Sequence, residues 1–211
     1  MSAQQVVGRV VSVRAYPVKS MDAGPLARAR VLTSGVEHDR SWAVVDEQGQ
    51  VVTARTDDVL RTVRAAPSPV GPALTLPGRG QVLTGEPASA ALTQLLGRPV
   101  RVQRAADGAA GFNEVAAMHV VSRQAVARGA DHDDHGQECP CSVEEPRANL
   151  VLDLGAGAGG ELETAWVGAQ LRVGGTVLRI TKAPRHCLGV YAEVLAEGEV
   201  AEGDEAVLIR S

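Results

Sequence analysis

Residues 171–181, LRVGGTVLRIT, decide how the rest of the chain is read. Two short runs, Leu171–Val173 and Thr176–Thr181, flank Gly174-Gly175, a two-residue turn of the kind that tolerates positive φ. That pattern is a β-hairpin, and it recurs outward along the chain. Pro77-Gly78-Arg79-Gly80 separates Ala73–Leu76 from Gln81–Thr84, and Glu47-Gln48-Gly49 separates Ser41–Asp46 from Gln50–Thr53. Val7 to Tyr16 reads as a strand, with Val11, Val13 and Ala15 alternating against Ser12 and Arg14. Leu150–Leu154 reads as another, and Val190–Leu195 with Ala206–Ile209 as a last pair. Helical signals are few. Pro87 to Leu96 carries Ala91, Leu92, Leu95 and Leu96 on one face and stops at Gly97, a C-cap. Ser122 is a natural N-cap for a second short helix. Many short strands with two short helices predict a mainly β fold, a barrel.

Composition narrows the function classes. With 21 basic and 25 acidic residues the formal net charge is −4, which argues against a nucleic-acid binder that would need a basic face. No apolar run approaches the roughly 20 residues of a membrane span, and the N-terminus lacks the pattern of a secretory signal. Three cysteines, Cys139, Cys141 and Cys187, are too few for a disulfide framework. The expectation is a cytoplasmic protein. The loops offer little for a nucleotide: Gly155 to Gly160 (GAGAGG) does not open a helix within a βαβ unit, so it reads as a flexible loop. Ala65 to Pro72 reads as a loop as well.

Four clusters could carry chemistry. Tyr16-Pro17-Val18-Lys19-Ser20 ends the first strand, where a rim lysine beside a hydroxyl can grip an anion. In Gly35-Val36-Glu37-His38-Asp39-Arg40, Asp39 either forms a structural ion pair with Arg40 or orients it toward a phosphate or carboxylate. In Arg147-Ala148-Asn149 the two polar residues alternate, so they point to one side of an extended chain. Lys182 to Gly189 (KAPRHCLG) places Cys187 among Lys182, Arg185 and His186, a setting that favours thiolate, either as nucleophile or as soft metal ligand.

Taken in order, YPVKSM, GVEHDRSWAVVD, EEPRANLVLDL, AWVGAQLRVGG and PRHCLGVYAEV resemble the MOSC family, named for the C-terminal domain of molybdenum-cofactor sulfurases. The resemblance runs from about Val6 to Ile209 and implies a MOSC-type β-barrel: an N-terminal β-rich segment, 1–104, and a core, 105–211, packed as one compact unit. It implies molybdenum cofactor as the bound group, with Cys187 as the molybdenum ligand and catalytic residue. Lys19, Ser20, Arg40, Arg147, Asn149 and Arg185 would hold the pterin and its phosphate. The chain departs from the reductase members by placing His186 between Arg185 and Cys187. The implied activity is reduction of N-hydroxylated small molecules, hydroxylamino bases or amidoximes, with electrons from a separate reductase or ferredoxin. Two other classes stay open: a persulfide carrier acting through Cys187, and a pterin-binding module without turnover.

His132, His135, Cys139 and Cys141 offer four zinc ligands in ten residues. Pro140 stiffens the chain between the cysteines, and Cys-x-Cys is tighter than a regular tetrahedral site prefers. The metal-free loop is the favoured reading and the zinc site the alternative.

Overall fold

Strands dominate the computed structural model, which describes residues 3–106, 111–113, 115–130, 147–185 and 187–210. In chain order they are β1 (Ala3–Arg14), β2 (Pro25–Leu26), β3 (Arg28–Leu32), β4 (Gly35–Val36), β5 (Trp42–Asp46), β6 (Val51–Val52), β7 (Arg64–Ala66), β8 (Ala73–Thr75) and β9 (Val82–Leu83). They continue with β10 (Val100–Arg104), β11 (Met118–Ser122), β12 (Leu150–Leu154), β13 (Gln170–Val173), β14 (Thr176–Lys182), β15 (Val190–Ala196), β16 (Gly198–Ala201) and β17 (Glu205–Arg210). Two α-helices occur among the described residues, α1 (Gly85–Leu96) and α2 (Arg123–Ala130). The chain forms two units. The first takes Met1–Arg14, Pro25–Glu37 and Val115–Ser211, the second Ala15–Gly24 and His38–Glu114.

The first unit is a closed barrel. Its order is β12-β11-β15-β14-β13-β17-β1, and β1 pairs back onto β12, so seven strands complete the ring. Every neighbouring pair is antiparallel except β11 with β12. Val13, Leu152, Leu171, Leu178, Ile180 and Ala192 are wholly buried, so the core is small and branched, as a chain poor in aromatics requires. The Leu171–Thr181 hairpin forms as expected, with Gly174 at φ +54°. On β1, Gly8 lies so near β12 that a Cβ there would sit 2.2 Å from the Asp153 carbonyl oxygen.

Four local expectations change. The first strand stops at Arg14, because the Tyr16 backbone is bonded elsewhere: its N–H donates to Asp39 Oδ1 at 2.7 Å and its carbonyl accepts from Arg40 N–H at 2.7 Å. β15 and β17 do not pair with each other; the residues between them form β16, which pairs with β3. GAGAGG is not a slack loop, since Ala156–Ala158 form a 3-10 turn and a Cβ on Gly157 would meet the Val6 carbonyl oxygen at 2.2 Å. Within the stretch read as a loop from Ala65 to Pro72, Ala65 and Ala66 belong to β7.

The second unit packs a β10-β5-β6 sheet, a β7-β8-β9 sheet and α1 around Val18, Met21, Val44, Leu60, Leu74 and Leu92. The β5/β6 hairpin has its expected turn, in which Asp46 Oδ1 accepts from the N–H groups of Gln48 at 3.0 Å and Gln50 at 2.8 Å. α1 begins two residues before the expected Pro87 and ends at Gly97, which is left-handed at φ 67°. Just beyond it, Arg98 grips Asp57 with two hydrogen bonds of 2.9 and 2.6 Å, and that guanidinium holds the Asp57 carboxyl below its ordinary range.

Candidate functional site

Cys187 follows β14 and is half-buried. The two residues after it are fastened to β11. Leu188 packs against the buried cluster of Val121, Ala125 and Ala148, and its carbonyl oxygen lies 2.7 Å from His119 Nε2. Gly189, at φ +89°, fits because it has no side chain: a Cβ would meet the Val120 carbonyl oxygen at 2.3 Å and His119 Nε2 at 3.0 Å. Gly189→Ala is therefore expected to disrupt this contact. Left-handed backbone alone costs an L-residue about 1–2 kcal/mol, and the overlap with β11 adds to it. The melting temperature should fall by several degrees, at about 2–4 °C per kcal/mol for a chain of this length. A melting curve matching wild type would show that the loop shifts freely.

Asn149 is the hub of the same region. Its Oδ1 accepts from His119 N–H at 3.0 Å, its N–H donates to the His119 carbonyl at 2.8 Å, and its Nδ2 donates to the Arg14 carbonyl at 3.3 Å. Arg14 N–H in turn donates to the Asn149 carbonyl at 2.8 Å. The residue is 1% exposed, so its carboxamide works as a brace where β12 slots between β11 and β1. Ala148 beside it is buried, Arg147 is half-buried, and Arg185 is exposed.

Lys19, Ser20 and Arg40 lie in the second unit. Asp39, with a side chain 1% exposed, pairs with the Arg40 guanidinium, which also lies 5.1 Å from the centroid of the Tyr16 ring. Lys19 N–H donates to the Trp42 carbonyl at 2.8 Å, and Trp42 N–H to the Pro17 carbonyl at 3.0 Å. Ser20 (φ 71°), His38 (φ 68°) and Arg40 (φ 47°) all adopt left-handed backbone, which is uncommon away from glycine. The ion pair expected as one reading of Asp39-Arg40 thus forms, and it is buried at its acidic end.

The structure groups Arg147, Asn149, Arg185 and Cys187 in one unit and Lys19, Ser20 and Arg40 in the other. His132, His135, Cys139 and Cys141 lie outside the described residues, as does His186. His119 and Tyr191 are additions that the sequence did not single out; a histidine inside the apolar run MHVV carries no spacing signal. A cavity of about 750 Å³ opens elsewhere in the barrel unit, along Gly8, Arg9, Asp153, Gly155, Gly157 and Gly203, and no expected site residue lines it. No helix among the described residues is long and apolar enough to cross a membrane.

A closed, mainly β barrel with two short helices among the described residues defines the fold class. The chain belongs to the MOSC family: residues 7–120, more than half of it, match the MOSC N-terminal beta barrel domain. The family is associated with molybdenum cofactor. That match ends before Arg147 and Cys187. Among solved structures, the YUAD protein from Bacillus subtilis is similar at 13% identity and a TM-score of 0.42, over 100% of this chain and 97% of that one. No curated protein matches the chain.

Proposed function

We propose that this protein binds molybdenum cofactor through Cys187 and reduces N-hydroxylated small molecules. The observation that carries the reading is the Cys187 loop, a thiol held half-buried by contacts on both residues that follow it. The donor set fits the group. Among the described residues no three His, Cys, Asp or Glu side chains come together. Cys187 would then be the ligand that the described residues offer, which suits a metal that arrives already held by its own organic cofactor. A soft thiolate is also a suitable donor. When bound, the cofactor supplies the two-electron redox chemistry. The protein's own residues hold and orient: Arg147 and Arg185 offer charge-assisted contacts to the pterin and its phosphate, and Asn149 sets the position of the strand ends. The family resemblance extends the anion-holding role to Lys19, Ser20 and Arg40.

The balanced reaction is R–NH–OH + 2 e⁻ + 2 H⁺ → R–NH₂ + H₂O, with electrons from a separate reductase or ferredoxin. The test is molybdenum analysis of protein made in a host that synthesises the cofactor, followed by reduction of a hydroxylamino base with an artificial electron donor. Stoichiometric molybdenum with turnover supports the reading. Molybdenum without turnover leaves a binding module, and persulfide on Cys187 without molybdenum leaves a sulfur carrier.

Lys19→Ala separates binding from folding. Losing one hydrogen bond to a charged group is worth ~1.5–3 kcal/mol, so cofactor affinity should drop on the order of 10–100-fold. The lysine side chain is only half-buried, so the apoprotein melting temperature should change far less than the affinity. Equal affinity in a titration of apoprotein with cofactor would remove Lys19 from the site.

A further inference from the structure

We infer that His119 is a positioning residue that clamps the Cys187 loop to the barrel by donating a hydrogen bond from Nε2 to the Leu188 carbonyl. The inference deepens the reading of Cys187 as the ligating thiol and rests on it. Its geometry nevertheless stands by itself.

A carbonyl oxygen only accepts, so the ring nitrogen 2.7 Å away must carry the proton. The tautomer follows from the partner. Three features hold the ring in place. Its own backbone N–H is taken by Asn149 Oδ1 at 3.0 Å. Across the strand pair it faces Tyr191, its register partner, with ring centroids 5.1 Å apart and planes tilted by 50°. Tyr191 in turn pairs with Lys182 on β14, whose Nζ lies 6.0 Å from the centroid of the Tyr191 ring. His119, Tyr191 and Lys182 therefore form a row across β11, β15 and β14, at the base of the connection that carries Cys187.

The residue is 8% exposed, so the bond is sheltered from water and cannot be replaced freely by solvent. Gly189 completes the fit by letting the backbone approach Nε2 closely. Two residues after the thiol are thus bound to a barrel strand, one through its carbonyl and one through its lack of a side chain. Fixing Cys187 this way lowers the conformational freedom that would otherwise be lost when the thiolate takes up a metal.

The experiment uses full-length apoprotein carrying Cys139→Ser and Cys141→Ser, leaving Cys187 as the thiol. An aromatic disulfide, 5,5′-dithiobis(2-nitrobenzoic acid), is attacked by the Cys187 thiolate; a mixed disulfide forms and the coloured thiolate leaves. His119→Ala should raise the labelling rate on the order of tenfold, the equilibrium value of about one net hydrogen bond. His119→Gln restores an N–H donor and should stay close to the His119 rate. An unchanged rate in His119→Ala, or an equal rise in both variants, overturns the clamp.

A second measurement needs no folded alanine variant. Ring ¹⁵N spectra of the histidine-labelled protein, with the His119 signal identified by its loss in His119→Gln, should show Nε2 protonated; protonation on Nδ1 alone overturns the clamp. The two readings fail separately. Protein that shows the expected labelling pattern but takes up no molybdenum keeps the clamp and loses the cofactor. Protein that takes up molybdenum with labelling indifferent to His119 does the reverse.

Discussion

Cys187→Ser protein, purified from a host that makes molybdenum cofactor, should contain essentially no molybdenum while melting at the wild-type temperature. The substitution exchanges a soft thiolate for a hydroxyl that is not ionised near neutral pH and is a poor donor to such a metal. It changes little else, because Cys187 is only half-buried, serine keeps a hydrogen-bonding group of similar size at the same place, and Leu188 and Gly189 still hold the loop. Metal analysis by mass spectrometry reads the result. Wild-type occupancy in the serine variant would make Cys187 a structural cysteine and remove the proposed function.

Asp39→Ala should strongly destabilise the second unit. The carboxylate is almost wholly enclosed, takes the Tyr16 N–H at 2.7 Å, and pairs with Arg40. Removing it orphans a buried backbone donor and takes the Asp39 charge away from a guanidinium that is 18% exposed. Breaking a buried pair from one side costs about 3–5 kcal/mol, and at this chain length the melting temperature should fall by roughly 10 °C. Arg40→Ala should be comparably harmful, since it strands the charge on Asp39. Glu199→Ala is the control. Its pair with Arg28 spans 3.0 Å, but the side chains are 58% and 70% exposed, so the loss should stay within ~1 kcal/mol. Equal melting of the Asp39 and Glu199 variants would refute the structural account of the Asp39-Arg40 pair.

What could be read from the sequence followed from local rules. The hairpin at Gly174-Gly175, the turn at Asp46 to Gln50 and the α1 stop at Gly97 each need only a handful of neighbouring residues to be recognised. β12 was legible over the bounds expected from its apolar run, Leu150–Leu154. β11 was not. Met118 to Ser122 are buried on both faces, so no alternation marks them. The parallel β11–β12 pairing within the barrel joins segments whose relation no local pattern records. Gly198 sits in a strand, where a Cβ would lie 2.3 Å from the Gly175 carbonyl carbon; glycine is there for close approach.

The same division applies to the candidate site. Cys187 and its basic neighbours announce themselves by composition, whereas His119 acquires its role only through a carbonyl 69 positions away. Asn149, which its segment singles out, turns both ends of its amide toward backbone.

β1 pairs with β12 and with β17, matching Gly8 to Leu154 and Val6 to Val207. During synthesis one flank therefore waits for residues 150–154 and the other for residues 205–210. The second unit ends at Glu114, so all its residues emerge while that Val-rich segment still waits for β12 and β17, with only Val13 and Arg14 able to pair early, onto β2. An unpaired strand edge is a template for pairing with other chains. Within the waiting stretch, AQQVVGRVVSVR, Arg9 and Arg14 interrupt the valines with charge. In the finished barrel Arg9 meets Glu205 at the surface, 2.8 Å away; on the nascent chain the same charge keeps a long-unsatisfied strand from finding the wrong partner.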